Sequence, residues 1–136
     1  MRVGVSSASP SVAPPRSTRI YCSSIIRVLR AGVPVHAMAH ITGGGITENL
    51  DRVLPADTDA NVVRDSWKVP RIVEVAVEAA GLSADDAYKT FNMGIGYVLV
   101  LDAKDAPRAA ALLREAGERV FEIGEIVSGD GKVVYV

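Results

Sequence analysis

The sequence predicts an α+β domain: a mixed, largely antiparallel sheet with helices packed on it. Three observations predict it. Segments of period-two and helical hydrophobic spacing alternate along the chain. Gly and Pro punctuate their boundaries. No repeat period is visible, and 136 residues suit one domain able to bury a core. Hydrophobic residues make up 49% of the chain but aromatics only 5%, so Val, Ile, Leu and Ala must form that core.

Residues 1–17, rich in Ser, Ala and Pro from residue 4 onward, are expected to be an irregular leader ahead of a domain over 18–136. From Tyr21 to Ala31, Ile25, Ile26 and Leu29 recur at helical spacing, and Gly32 and Pro34 end the helix. Val35 to Thr42 alternates as a strand. Ile46 to Val53 is a short helix stopped near Pro55, and Asp59 to Arg64 a strand. Pro70 occupies a favoured helix start. The helix over Arg71–Ala80 carries Ile72, Val73, Ala76, Val77 and Ala80 on one stripe, and Gly81 closes it. Ser83, with Asp86 three residues on, caps a short helix running to about Thr90. Gly96 to Leu101 is an apolar, central strand. Asp105 to Ala116 is a helix with Ala109, Leu112, Leu113 and Ala116 inward. Val120 to Val127 and Lys132 to Val136 are expected to pair as a hairpin around Ser128–Gly131.

Composition narrows the function classes. Fifteen basic and 16 acidic residues give a formal charge of −1, so nothing electrostatic points to nucleic acid or to an acidic membrane. A lone cysteine, Cys22, allows no internal disulfide and no cysteine-rich metal site. The longest apolar run, Tyr97–Leu101, is far short of the roughly 20 residues a membrane span needs. A signal-peptide core is not recognisable, and the cytoplasm is the expected location.

The chemistry concentrates between His36 and Asn49. On a strand, His36, Met38, His40 and Thr42 share one face and Ala37, Ala39 and Ile41 the other. Two histidines four strand positions apart lie roughly 13 Å from each other, too far for one metal ion, so no metal ligand is assigned. Gly43-Gly44-Gly45 then joins the strand to a helix. Such a turn is either simply tight or lets backbone N–H groups approach a phosphate at a helix start. It is not a Walker loop, since the Gly-Lys-Ser/Thr is missing. In Phe91-Asn92-Met93-Gly94-Ile95-Gly96, Gly94 and Gly96 leave room for a neighbouring backbone or a ligand. Trp67, the only tryptophan, is expected to anchor core or hinge.

Several segments together resemble a known family. They are Pro15–Tyr21, Val35–Gly45, Glu48–Pro55, Ser66–Pro70, Tyr88–Gly96, Gly117-Glu118 and Ile123-Gly124-Glu125. In order and spacing, from about residue 15 to 127, they resemble the C-terminal domain of aminoimidazole ribonucleotide synthetase, the phosphoribosylformylglycinamidine cyclo-ligase of purine biosynthesis. Selenophosphate synthetase, thiamine monophosphate kinase and a hydrogenase maturation factor share that family's two-domain plan. The His-Ala-Met-Ala-His and Phe-Asn-Met-Gly segments favour the cyclo-ligase.

The resemblance implies an ATP-dependent ring closure. ATP phosphorylates the amide oxygen of formylglycinamidine ribonucleotide, an amidine nitrogen attacks, and phosphate leaves as the imidazole forms. It implies His40 as the catalytic histidine, with Thr42, Gly43, Gly44, Gly45 and Asn49 holding substrate or phosphate and His36 secondary. It also implies ATP and Mg²⁺ as cofactors, held mostly by an N-terminal domain that this sequence lacks, and a homo-oligomer. The chain is therefore expected to be inactive alone and to need a separate N-terminal domain. The rival expectations are a non-catalytic phosphate- or ribonucleotide-binding module, or an inert truncated fragment.

Overall fold

The computed structural model describes residues 19–136 and, ahead of them, the backbone of Arg2–Val3. The rest of the Ser/Ala/Pro leader, and the Pro15–Thr18 part of the first matched segment, lie outside the described residues. Arg2–Val3 is itself a strand, β1, although the leader was expected to be irregular from its first residue.

The elements follow as helix α1 (Cys22–Arg30), strand β2 (Ala37–His40), helix α2 (Gly45–Asp51) and strand β3 (Thr58–Val62). After a single 3₁₀ turn at Arg64–Ser66 come α3 (Arg71–Ala80), α4 (Ala84–Thr90), β4 (Tyr97–Leu101), α5 (Ala106–Glu115), β5 (Gly124–Ser128) and β6 (Val133–Tyr135). The sheet order is β2-β4-β1-β5-β3-β6, and only the β3–β6 pair is parallel. The α+β expectation is borne out.

The alternation along β4 builds a three-layer domain. Val98 and Val100 face one way, into a core shared with Ala39, Ile41, Ile46, Leu50, Ala60, Val62, Trp67 and Tyr88. Leu99 and Leu101 face the other way, against Ile25 and Val28 of α1 and Ala109 and Leu113 of α5. Ser83 caps α4 as expected, its hydroxyl accepting from the Asp86 N–H at 3.1 Å. Along α3 the expected stripe packs only in part. Val73 and Val77 touch the core, whereas Ile72 is 63% exposed.

The expected C-terminal hairpin does not form. β5 and β6 are both present, but β3 lies between them, antiparallel to β5 and parallel to β6. The Ser128–Gly131 turn crosses the start of β3 instead of closing a hairpin. Asp59 organises the crossing, its Oδ1 accepting from the N–H of Asp130 at 2.8 Å and of Lys132 at 2.9 Å. The Gly129 and Gly131 N–H groups donate to the carbonyls of Asp57 and Thr58. A turn motif announces that the chain reverses; it does not announce which strand it reverses around.

Those backbone donors hold the Asp59 carboxyl below its ordinary 3.8. A carboxylate depressed on folding stabilises the fold above its unfolded value and loses that contribution as pH falls through the folded one. Asp59→Asn should therefore lower the urea midpoint near neutral pH. The gap to wild type should close as the pH is taken below 3.8; a gap that persists there would refute the assignment.

Candidate functional site

β2 is one of the two edge strands of the described sheet, and its alternation is as the sequence reads: Ala39 is buried, while Met38, His40 and the preceding His36 are exposed. His40 stands at the end that enters the glycine turn. There it is stacked on Tyr97, its cross-strand partner, at 6.0 Å between centroids. The Tyr21 ring meets it edge-on at 6.0 Å and lies 5.7 Å from Tyr97. These rings, with Arg19, Ile20, Cys22, Ile25 and Ile26, line an apolar cleft of about 420 Å³. Burial raises the phenol pKa values of Tyr21 and Tyr97, and at Tyr21 the Glu118 charge adds to it while Arg19 opposes it. Both phenols therefore stay protonated and can donate.

Gly96 admits Tyr21. A methyl at Gly96 would collide with the Tyr21 hydroxyl, so the glycine is the seat of that ring. The neighbouring turn is held tightly: Met93 takes a positive φ of 52°, its carbonyl accepts from Trp67 Nε1 at 3.0 Å, and Asn92 Oδ1 accepts from the Gly94 N–H at 3.0 Å. Trp67 is a core anchor.

The three glycines of the turn differ. Gly44 and Gly45 have φ of 89° and 62°, where other residues are strained. A side chain on Gly45 would strike the Tyr88 carbonyl, with the Phe91 oxygen 2.8 Å away, because α2 starts directly against the end of α4. A side chain on Gly44 would strike the Glu48 carboxylate. Around Gly43 nothing lies within 4 Å. Left-handed backbone thus explains Gly44 and Gly45, with close packing against the end of α4 added at Gly45, and Gly43 is open backbone.

Asn49, only 9% exposed, bolts the turn together. Its Nδ2 donates to the carbonyls of Gly45 at 2.7 Å and Gly43 at 3.2 Å, and its Oδ1 accepts from the Thr42 hydroxyl at 3.3 Å. Thr42, Gly43, Gly44, Gly45 and Asn49 are therefore brought together in one turn, while the His40 ring, two residues before Thr42, packs with Tyr21 and Tyr97 in the apolar cleft. His36 is not: it stands at the opposite end of β2, roughly 13 Å along the strand, where its Nε2 lies 3.2 Å from Asp102 Oδ1. The sequence reading missed Tyr21 and Tyr97 as walls of the site. Tyr21 was a matched position, but nothing in a linear pattern pairs it with Tyr97.

Among the described residues no group of three or more His, Cys, Asp or Glu is placed to hold a metal ion. No helix among them is long and apolar enough to cross a membrane.

A family model described as AIR synthase related protein, C-terminal domain, matches residues 4–136. The chain belongs to that family. As an AIR synthase related C-terminal domain, it is 41% identical over 119 residues to the phosphoribosylformylglycinamidine cyclo-ligase of Alkaliphilus oremlandii, covering 88% of this chain and 35% of that protein. It is 47% identical over 118 residues to the namesake of Brevibacillus brevis, covering 87% and 34%. The chain thus spans about a third of the length of the curated relatives it matches. The fold of this AIR synthase related domain is similar to that of hydrogenase maturation protein HypE, with a TM-score of 0.75 at 18% identity over 98% of this chain and 48% of that one. A structure of HypE in complex with ATP matches at a TM-score of 0.67 and 22% identity over 83% and 36%. At such identities the likeness is one of fold. The cyclo-ligase resemblance read from the motifs is borne out.

Proposed function

We propose that this domain is the C-terminal part of an ATP-dependent cyclo-ligase that converts formylglycinamidine ribonucleotide to aminoimidazole ribonucleotide. The observation that carries the reading is the open backbone at Gly43, three residues after His40 in a chain whose curated relatives bear the cyclo-ligase name. His40 is the group that moves a proton as the amidine nitrogen closes the ring, a task suited to an imidazole near neutral pH. Phosphate or substrate approaches the turn at Gly43, the one glycine with space beside it. Thr42 and Asn49 keep that backbone in place, and the Tyr21 and Tyr97 phenols wall the imidazole in.

Most of the ATP and Mg²⁺ site is assigned to an N-terminal domain: the described residues offer no group of three or more His, Cys, Asp or Glu placed for the ion, and the glycine turn has no lysine. The domain is expected to be cytoplasmic and to work in a homo-oligomer once joined to that partner.

The test is complementation. The chain alone should release neither ADP nor imidazole product from formylglycinamidine ribonucleotide and ATP. Addition of a separately expressed N-terminal cyclo-ligase domain should produce both. A mixture in which the two domains bind yet give no product would overturn the reading.

A further inference from the structure

We propose that Glu118 is a positioning residue for the His40 site: its buried carboxylate, gripped by Arg19 and Ser24, fixes the segment that holds the Tyr21 ring against His40. The function assigned to His40 rests on the reading above; the geometry does not.

Glu118 follows the end of α5 and is 6% exposed. A carboxylate withdrawn from water is tolerated when donors replace its hydration. Arg19 Nε donates to Oε2 at 2.8 Å and Ser24 Oγ to Oε1 at 2.6 Å, so both carboxylate oxygens are engaged. Arg19 Nη2 also donates to the Gly117 carbonyl at 2.9 Å. These donors stand on either side of Tyr21 in sequence and lie 99 and 94 residues from Glu118.

Tyr21, in the N-cap position, makes no capping bond through its side chain, and the first turn carries no acidic residue. Glu118, just beyond α5, supplies through Arg19 and Ser24 a restraint on this helix start that no capping side chain supplies locally. What it restrains is the Tyr21 ring, seated over Gly96 and packed on both His40 and Tyr97. Glu118 is not among the residues lining the cleft and acts on His40 through Tyr21.

The experiment uses the chain as it stands. Glu118→Gln keeps the shape and removes the charge. His40 and Tyr21 ring signals are followed by NMR, with folding checked by circular dichroism. Both sets of signals should shift in Glu118→Gln, and shift less in Ser24→Ala. They should stay in place in Glu115→Gln, which breaks only an exposed ion pair to Arg27. Unmoved His40 signals in folded Glu118→Gln overturn the proposal; if that variant does not fold, unmoved signals in folded Ser24→Ala do so. In the complemented enzyme, Glu118→Gln should lower kcat about 10-fold with KM unchanged, as expected for a misplaced catalytic group. A rise in KM at constant kcat counts against positioning. Failure of the wild-type mixture to turn over would sink the cyclo-ligase reading, while the NMR result still decides the role of Glu118.

Discussion

Gly45→Ala should cost the domain about 3 kcal/mol, the sum of a left-handed backbone forced on a residue with a Cβ and an overpacked contact. Both terms are visible at this residue. Its φ is 62°, and an added methyl would run into the Tyr88 carbonyl. Relief would require α2 to part from α4, and α2 carries Ile46 and Leu50, which are wholly buried. Gly43→Ala is the internal comparison. With no atom within 4 Å and no positive φ there, it should lie within about 0.5 kcal/mol of wild type. Urea unfolding of the two variants settles the matter: equal midpoints would mean that the glycine run is not dictated by packing. In the complemented enzyme, Gly43→Ala should instead reduce turnover, because it fills the open approach to the turn.

His40→Ala should lower turnover of the complemented enzyme by about 10²- to 10⁴-fold, the range for a positioned proton-transfer group. Its effect on stability should be small. The ring is exposed, and its edge-on contact with Tyr21 and its stacking on Tyr97 are each worth about 1 kcal/mol. A large kinetic loss in a normally folded chain is what separates a chemical role from a packing role. His36→Ala offers the contrast. Its partner Asp102 is half exposed and the pair lies at the far end of β2, so its turnover should stay close to wild type. Equal losses in the two variants would remove the reason for preferring His40.

Local signals carried much of this molecule. The alternation of Met38 and His40 against Ala39 survives intact in β2, because an edge strand with one buried face keeps its period of two. Ser83 caps the helix it was expected to cap. What the sequence did not carry is pairing at a distance. The Ser128–Gly131 turn looks like a hairpin loop, yet the Asp59 carboxylate draws it across the start of β3. The aromatic walls of the site were hidden for the same reason. Tyr21 and Tyr97 are separated by most of the chain, and only the absence of a side chain at Gly96 lets them meet. The Thr42–Gly45 turn was ambiguous between packing and ligand approach, and the structure divides it residue by residue.

The place of β3 between β5 and β6 bears on how the domain is made. During synthesis β3 leaves the ribosome with neither neighbour in existence, since β5 begins at Gly124 and β6 at Val133. β1 waits longer still for both of its neighbours, since β4 begins at Tyr97 and β5 at Gly124. Long-range pairings of this kind slow folding and leave strand edges open in the meantime. The nascent chain can form α1, α2 and α3 early, but three of the five strand pairings close only once β5 and β6 have been added. The final strand is thus the latch of the domain, and trimming it would strip one edge of β3 bare rather than shorten a tail.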